Sequence, residues 1–568
     1  MAENNDKIGY IVSGGLKESF RARLTVPAQK VQEGAFVVME NSGWRYYGLV
    51  TDIQLGATDP RFADEQTEER LPAHIAQALH GQTLYTNLEI LPALMQDIGP
   101  DIASPEYKAW RTENPEDPNP LPVKTVPPHH TSVVMARPEH IAGIFGDPDV
   151  VGNFVIGYTR EQGHPVCINL EKFVQRSSGV FGATGTGKSF LTRLTLAGLM
   201  QYNKASVLVL DMHNEYGFDD VASDTKQNVP GLKTKFKSRV NVVGLGAGAT
   251  IRGQAPDFNL EIAMSDISSS DIEMLTRELN LKETTPTTLN ALYTSFRDDW
   301  FAKFRAMNRD EVEIEDERGK KKRVPADGSV ARWANENGVN VLAAEGLHDK
   351  LRRLFNTKYI VEKPAADSVA QIINSLESGK HVILSFGEHE SDLDYLLVSN
   401  LLTRKIRNAW EKKTNEFRSK GVAGGAAEPR PLIIVVEEAH KILNREMAAQ
   451  TAFATIAREL RKYYVTLLIV DQRPSQIYDE VMSQLGTRIS GWLGDDLDIQ
   501  AVLSGLSGRD ALRGMLARLQ PKEEVLLLGW GVPMPLPVRS RRYDEKFWKE
   551  LLKESKKSKE QNLKELGF

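Results

Sequence analysis

Eight consecutive residues have the types and spacing needed to grip phosphate: Gly182, Ala183, Thr184, Gly185, Thr186, Gly187, Lys188 and Ser189 fit the pattern G-x-x-x-x-G-K-[ST]. Glycines let successive backbone N–H groups turn inward around phosphate oxygens, Lys188 adds a point charge, and Ser189 offers a hydroxyl to Mg²⁺. The apolar Gly179-Val180-Phe181 ahead of the loop reads as the end of a strand, and Phe190 opens an apolar-rich helical stretch whose N-terminus adds donors. Strand, glycine loop and helix in that order argue against an accidental Gly-rich turn. On this reading Gly182, Thr184, Gly185, Thr186, Gly187, Lys188, Ser189 and Phe190 bind the nucleotide. The loop alone would equally suit a small-molecule kinase or a GTPase.

Acidic chemistry comes from Leu432-Ile433-Ile434-Val435-Val436, a β-branched run of the kind found in buried parallel strands, which ends in Glu437-Glu438. Ligands bind at the C-terminal edge of such a sheet, so one of the two carboxylates can hold the Mg²⁺ water shell while its neighbour polarises the attacking water. Taken alone, the pair would suit an acidic first turn of a helix equally well. A second buried run, Val465 to Val470, delivers Asp471-Gln472-Arg473-Pro474-Ser475 to the same edge, where the Gln472 amide can sense a γ-phosphate. Further strands are expected at 206–210, 381–386, 487–493 and 524–528; their alternation with helical stretches argues for an α/β domain with a mostly parallel sheet.

Asp211-Met212-His213-Asn214-Glu215-Tyr216-Gly217, Glu437-Glu438-Ala439-His440 and Asp471-Gln472-Arg473-Pro474-Ser475, with the phosphate loop, resemble the HerA ATPases, relatives of the FtsK DNA pumps. The resemblance implies a RecA-like P-loop NTPase core using ATP and Mg²⁺, and a homo-hexamer that moves double-stranded DNA through its pore. It also implies an effector partner, either a NurA-like nuclease in DNA-end processing or a sirtuin-like NAD-cleaving enzyme or nuclease in anti-phage defence. The resemblance puts Mg²⁺ on Glu437 and the catalytic base on Glu438, and the chain departs from the family by having Glu437 where Asp is more usual, one methylene longer. Asp211 and Glu215 are expected as polar groups behind the metal and the attacking water. His213 and Glu215 are too few to fill a zinc shell.

Such rings take a cation from the neighbouring subunit to stabilise transition-state charge. The stretch Thr451 to Tyr464 carries Arg458, Arg461 and Lys462, and the resemblance favours Arg461, then Arg458; a solvated basic helix face is the competing reading.

With 568 residues the chain exceeds a single core. Its 71 Lys+Arg against 76 Asp+Glu argue mildly against a protein coated in nucleic acid, although a ring needs basic residues only at its pore. The lone Cys167 excludes an intrachain disulfide and fits a reducing cytoplasm, where the chain is expected. No apolar run approaches the ~18 to 20 residues of a membrane span, and the N-terminus lacks a signal pattern.

Residues 1–97 are expected to form a small β-barrel, with Phe20, Ala22, Leu24 and Val26 alternating against Arg21, Arg23 and Thr25. A proline-rich connector follows over 98–130, then the ATPase core over 131–219 and 379–540, interrupted by a mainly helical insertion at 220–378 and followed by a C-terminal arm at 541–568. Within the insertion, Glu311 to Val324 alternates and switches sign around Gly319. That pattern suits an exposed hairpin of acid facing base, or a DNA-phosphate contact by Lys320, Lys321, Lys322 and Arg323. Gly244 to Gly248 lacks dinucleotide spacing and Leu503 to Gly508 lies in the wrong order for a transport ATPase. Two functions remain open: a DNA translocase, and a P-loop scaffold that chiefly regulates its effector.

Overall fold

The computed structural model describes residues 7–16, 18–41, 43–58, 84–222, 226–315, 321–421, 425–447, 453, 460–506 and 508–552.

The N-terminal strands close on themselves. Lys7–Ser13, Phe20–Leu24, Phe36–Asn41, Gly43–Ala57, Leu84–Gly99 and Ser132–Met135 form a closed ring, because Phe20–Leu24 pairs with Lys7–Ser13 on one side and with Leu84–Gly99 on the other. The alternation puts Phe20 and Ala22 inside with Val37, Met39, Val50, Ile90 and Val133.

The closing strand corrects two expected boundaries. Ser132–Met135 pairs with both Lys7–Ser13 and Phe36–Asn41, so the start assigned to the ATPase core at 131 belongs to the barrel. A barrel has no unpaired edge only when its last gap is bridged, and a distant segment fills it here. The proline-rich stretch is also not wholly extended: it contains the helix Glu106–Glu113 and the short strand Leu121–Pro122, paired with Leu94 and Met95.

The core sheet has, among the described residues, the order Phe258–Leu260, Val240–Leu245, His381–Ser385, Ser206–Asp211, Leu432–Glu437, Val465–Asp471, Ser178–Phe181, Thr487–Ser490, Glu524–Gly529, Leu536–Ser540, Asn153–Tyr158 and Pro165–Asn169. The first eight run parallel and the last four pair antiparallel. Strands buried on both faces explain the continuous Val, Ile and Leu runs. Cys167 is buried on the last of them.

The insertion expected over 220–378 is narrower. Val240–Leu245 joins the parallel sheet beside His381–Ser385, so the helical unit hangs between Ile262–Ala263 and Ile360–Val361, whose pairing pinches its base. Its core is Trp300, Phe301, Phe304, Leu351 and Phe355. Buried Asp271 ties it to the long helix Asp392–Lys420, accepting from Asn400 at 2.9 Å and Arg404 at 2.6 Å.

The described part of the C-terminal arm packs on its own subunit. Phe547 meets Phe154 and Trp548 meets Phe236 edge-on, and Arg541 is buried against Glu550. No helix of the described residues is long and apolar enough to cross a membrane.

Candidate nucleotide site

The phosphate loop runs from the buried strand Ser178–Phe181 into the helix Lys188–Tyr202. Two glycines are required by backbone shape: Gly185 has φ +76° and Gly187, the residue before the helix, has φ +91°. A side chain at Gly187 would also meet the Lys522 backbone at 3.3 Å, and the Lys522 N–H donates to Thr186 O at 3.0 Å. The loop is thus backed by the turn before Glu524–Gly529, with Thr184 and Gly185 exposed at its tip.

Two side chains converge on one carboxylate, and a third joins through one of them. Lys188 Nζ lies 3.3 Å from Glu438 Oε1, Gln472 Nε2 donates to Glu438 Oε2 at 3.1 Å, and Thr184 Oγ1 donates to Gln472 Oε1 at 2.5 Å. Glu438 reaches them by turning sharply after its strand, with a left-handed φ of 44°. Such a conformation costs a non-glycine residue of order 1–3 kcal/mol and is kept only where the surroundings impose it. Here the next turn is bolted down by the His440 N–H, which donates to Asp471 Oδ2 at 2.7 Å.

Glu437 points its chemistry elsewhere. It is buried, its Oε1 accepts the Tyr216 hydroxyl at 2.6 Å, and its backbone carbonyl accepts the Tyr395 hydroxyl at 2.7 Å. Burial, then the charges of Asp211 and Glu215, push its carboxyl well above the ordinary carboxylate range. Its Oε2 is buried without a hydrogen-bond partner among the described residues. An orphaned buried carboxylate oxygen next to a phosphate-loop site fits a cation ligand or a ligand of its water, with Ser189 supplying the hydroxyl. Bound Mg²⁺ would neutralise charge on the phosphates.

Asp211 spends its oxygens on its own loop: Oδ1 accepts the Glu215 N–H at 2.8 Å and Oδ2 accepts the Tyr216 N–H at 3.1 Å and the Ser385 hydroxyl at 3.3 Å. Burial pushes its carboxyl up to about 6. Arg193 of the phosphate-loop helix donates to Glu215 O at 2.5 Å, while Glu215 Oε2 is buried without a hydrogen-bond partner among the described residues. This loop places Tyr216 against Glu437.

The other expected residues are not brought to this cluster. Arg461 lies in the turn Leu460–Tyr463 ahead of Val465–Asp471, at the opposite sheet edge from Gln472, roughly 20 Å away along the strand. Arg458 lies outside the described residues, as does Lys320. Lys321, Lys322 and Arg323 lie on an exposed hairpin, in register with Glu315, Ile314 and Glu313, and Lys321 and Arg323 approach Glu313 at 3.6 and 3.7 Å. Phe190 is half-buried at the helix start, with the Arg193 guanidinium 5.5 Å from its ring.

Sequence reasoning gave no role to Tyr216, Tyr395 or the His440–Asp471 pair. Only the motif spacing around Asp211, Glu437 and Asp471 pointed toward them.

A family model described as "Helicase HerA, central domain" matches residues 151–406. Across almost the whole length, the chain is 24% identical to the DNA double-strand break repair helicase HerA of Sulfolobus acidocaldarius, covering 98% of each. It is 25% identical to the protein of that name from Sulfurisphaera tokodaii, over 98% of this chain and 97% of the relative. Along almost its whole length the chain is similar to the HerA helicases. The HerA protein of Saccharolobus solfataricus matches over 95% of this chain at 22% identity. The match extends beyond the ATPase core, so the barrel and insertion are part of the HerA likeness.

Proposed function

We propose that this chain is a HerA-family ATPase that moves double-stranded DNA as a hexameric ring, working with an effector enzyme such as a nuclease. The observation that carries the reading is the convergence of Lys188 and Gln472 on Glu438, with Thr184 joined to it through Gln472. A cation from the phosphate loop and an amide from the neighbouring strand thus share one acid at the C-terminal sheet edge.

In this reading Lys188 leaves Glu438 when phosphate enters, since a multiply charged phosphate outcompetes one carboxylate for the ammonium. Glu438, released on that side, orients and polarises the attacking water, while Gln472 keeps its other oxygen in place and reports on the loop through Thr184. Ser189 and Glu437 hold Mg²⁺. Arg461, whose turn lies a strand's length from its own subunit's Gln472, serves a neighbour's site in the ring. DNA action is supported by the names of the relatives, DNA double-strand break repair helicases.

The test is ATP hydrolysis by the purified ring with and without linear duplex DNA. Duplex should stimulate the rate, and Lys188→Ala should abolish it. Hydrolysis indifferent to any DNA, with the effector present or absent, would overturn the reading.

A further inference from the structure

His440 lies in the short turn Ala439–Lys441 just after Glu438, with its side chain 17% exposed. Besides the backbone hydrogen bond to Asp471, its ring Nδ1 lies 3.1 and 3.0 Å from the two oxygens of that carboxylate. Asp471 is fully buried at the end of its strand and also accepts the Arg473 N–H at 2.6 Å. A carboxylate only accepts, so Nδ1 must carry a proton, and turning the ring away would leave a buried acid short of a donor.

The same nitrogen is 3.6 Å from Glu438 Oε2, the oxygen that Gln472 also holds. The ring is therefore wedged between an acid on the strand Val465–Asp471 and the acid of its own turn. The charged groups around it are Asp471 from that strand, Glu438 and Lys441 from its own turn, and Lys188 from the phosphate-loop helix, beyond Glu438. Burial alone lowers the His440 pKa, but the hydrogen bond and charge of Asp471, joined by Glu438, outweigh it and hold the imidazole above its ordinary value.

We propose that His440 is a positioning residue for hydrolysis: anchored by Asp471, its positively charged ring fixes the Glu438 carboxylate in register with Gln472, and hydrolysis slows when that charge is lost. The proposal rests on the hydrolytic reading of Glu438. It gives a physical reason for the left-handed turn at Glu438, which the His440 backbone and ring together tie to the adjacent strand.

The test is His440→Asn in the full-length protein. The Asn amide keeps an N–H donor near the place of Nδ1 but cannot become a cation. Two readouts follow. Without nucleotide, the wild-type advantage in Tm over the variant should be fully present below the unfolded His pKa of about 6.5 and should close as pH rises through the raised folded value. In steady-state hydrolysis the variant's kcat should fall about tenfold or more with KM for ATP within about twofold, and the decline of wild-type kcat at alkaline pH should be missing from the variant. A Tm gap that ignores pH, or a variant with wild-type kcat and the same alkaline decline, would overturn the proposal while leaving the ATPase reading intact. A wild-type ring that hydrolyses no ATP at any pH would sink the ATPase reading and this role with it.

Discussion

Lys188 and Glu438 neutralise one another, with Nζ and Oε1 3.3 Å apart and each side chain 14% exposed. In the proposed function, Lys188 grips phosphate and Glu438 polarises water, so phosphate arriving at the loop would draw the lysine away and free the carboxylate.

Glu438→Gln keeps the shape of that side chain and removes its charge. Hydrolysis is expected to fall by about 10²-fold or more while ATP binding is kept, measured by steady-state turnover beside a fluorescent-nucleotide titration. Turnover near the wild-type rate would remove Glu438 from its role.

Tyr216→Phe takes away a side-chain donor 2.6 Å from Glu437 Oε1, in a place where Oε2 has no partner among the described residues. A buried acid without partners costs about 1–3 kcal/mol, so the urea midpoint of the nucleotide-free protein should drop accordingly. An unchanged midpoint would show that Glu437 is satisfied by other means.

His381 is fully buried at the start of its strand, with no side chain of the described residues hydrogen-bonded to its ring. Burial, then the charges of Arg239 and Arg430, push it down to about 3. A depressed folded pKa means that the unfolded chain takes up the proton first, so stability is full above about 6.5 and is lost as pH falls from there toward 3. His381→Leu should flatten the decline in Tm between pH 6.5 and 4; an equally steep decline in the variant would place the acid sensitivity elsewhere.

Arg461 is separated from its own subunit's Gln472 by the length of the strand Val465–Asp471. If it serves the neighbour, Arg461→Ala and Lys188→Ala should each be inactive as pure rings, yet mixing the two proteins should recover part of the hydrolysis. Mixed rings would contain sites with an intact loop facing an intact arginine. Full activity of the pure Arg461→Ala ring would exclude the role.

Much of the core was legible because its signals are local. A glycine loop between an apolar strand and a helix, or a β-branched run ending in two acids, is written in consecutive residues and needs no partner to be read. The pairing of Glu311–Glu315 with Lys321–Pro325 was legible for the same reason, since Glu313 and Arg323, which face each other, are close in sequence. Val240–Leu245 was missed as a core strand because its place depends on His381–Ser385, more than a hundred residues later. Ser132–Met135 was missed as a barrel strand because its partners, Lys7–Ser13 and Phe36–Asn41, lie on the far side of a proline-rich stretch.

By itself the sequence determined the phosphate loop, the acid pair, the parallel α/β core and the family resemblance, all of which follow from residue type and short spacing. Tertiary structure decided how those pieces act on one another: that Glu438 is the shared partner of Lys188 and Gln472, that Glu437 is buried against Tyr216, and that His440 is clamped by Asp471. Side chains hundreds of residues apart meet only once strand order and register are set. That order is a property of the whole packed sheet rather than of any segment in it.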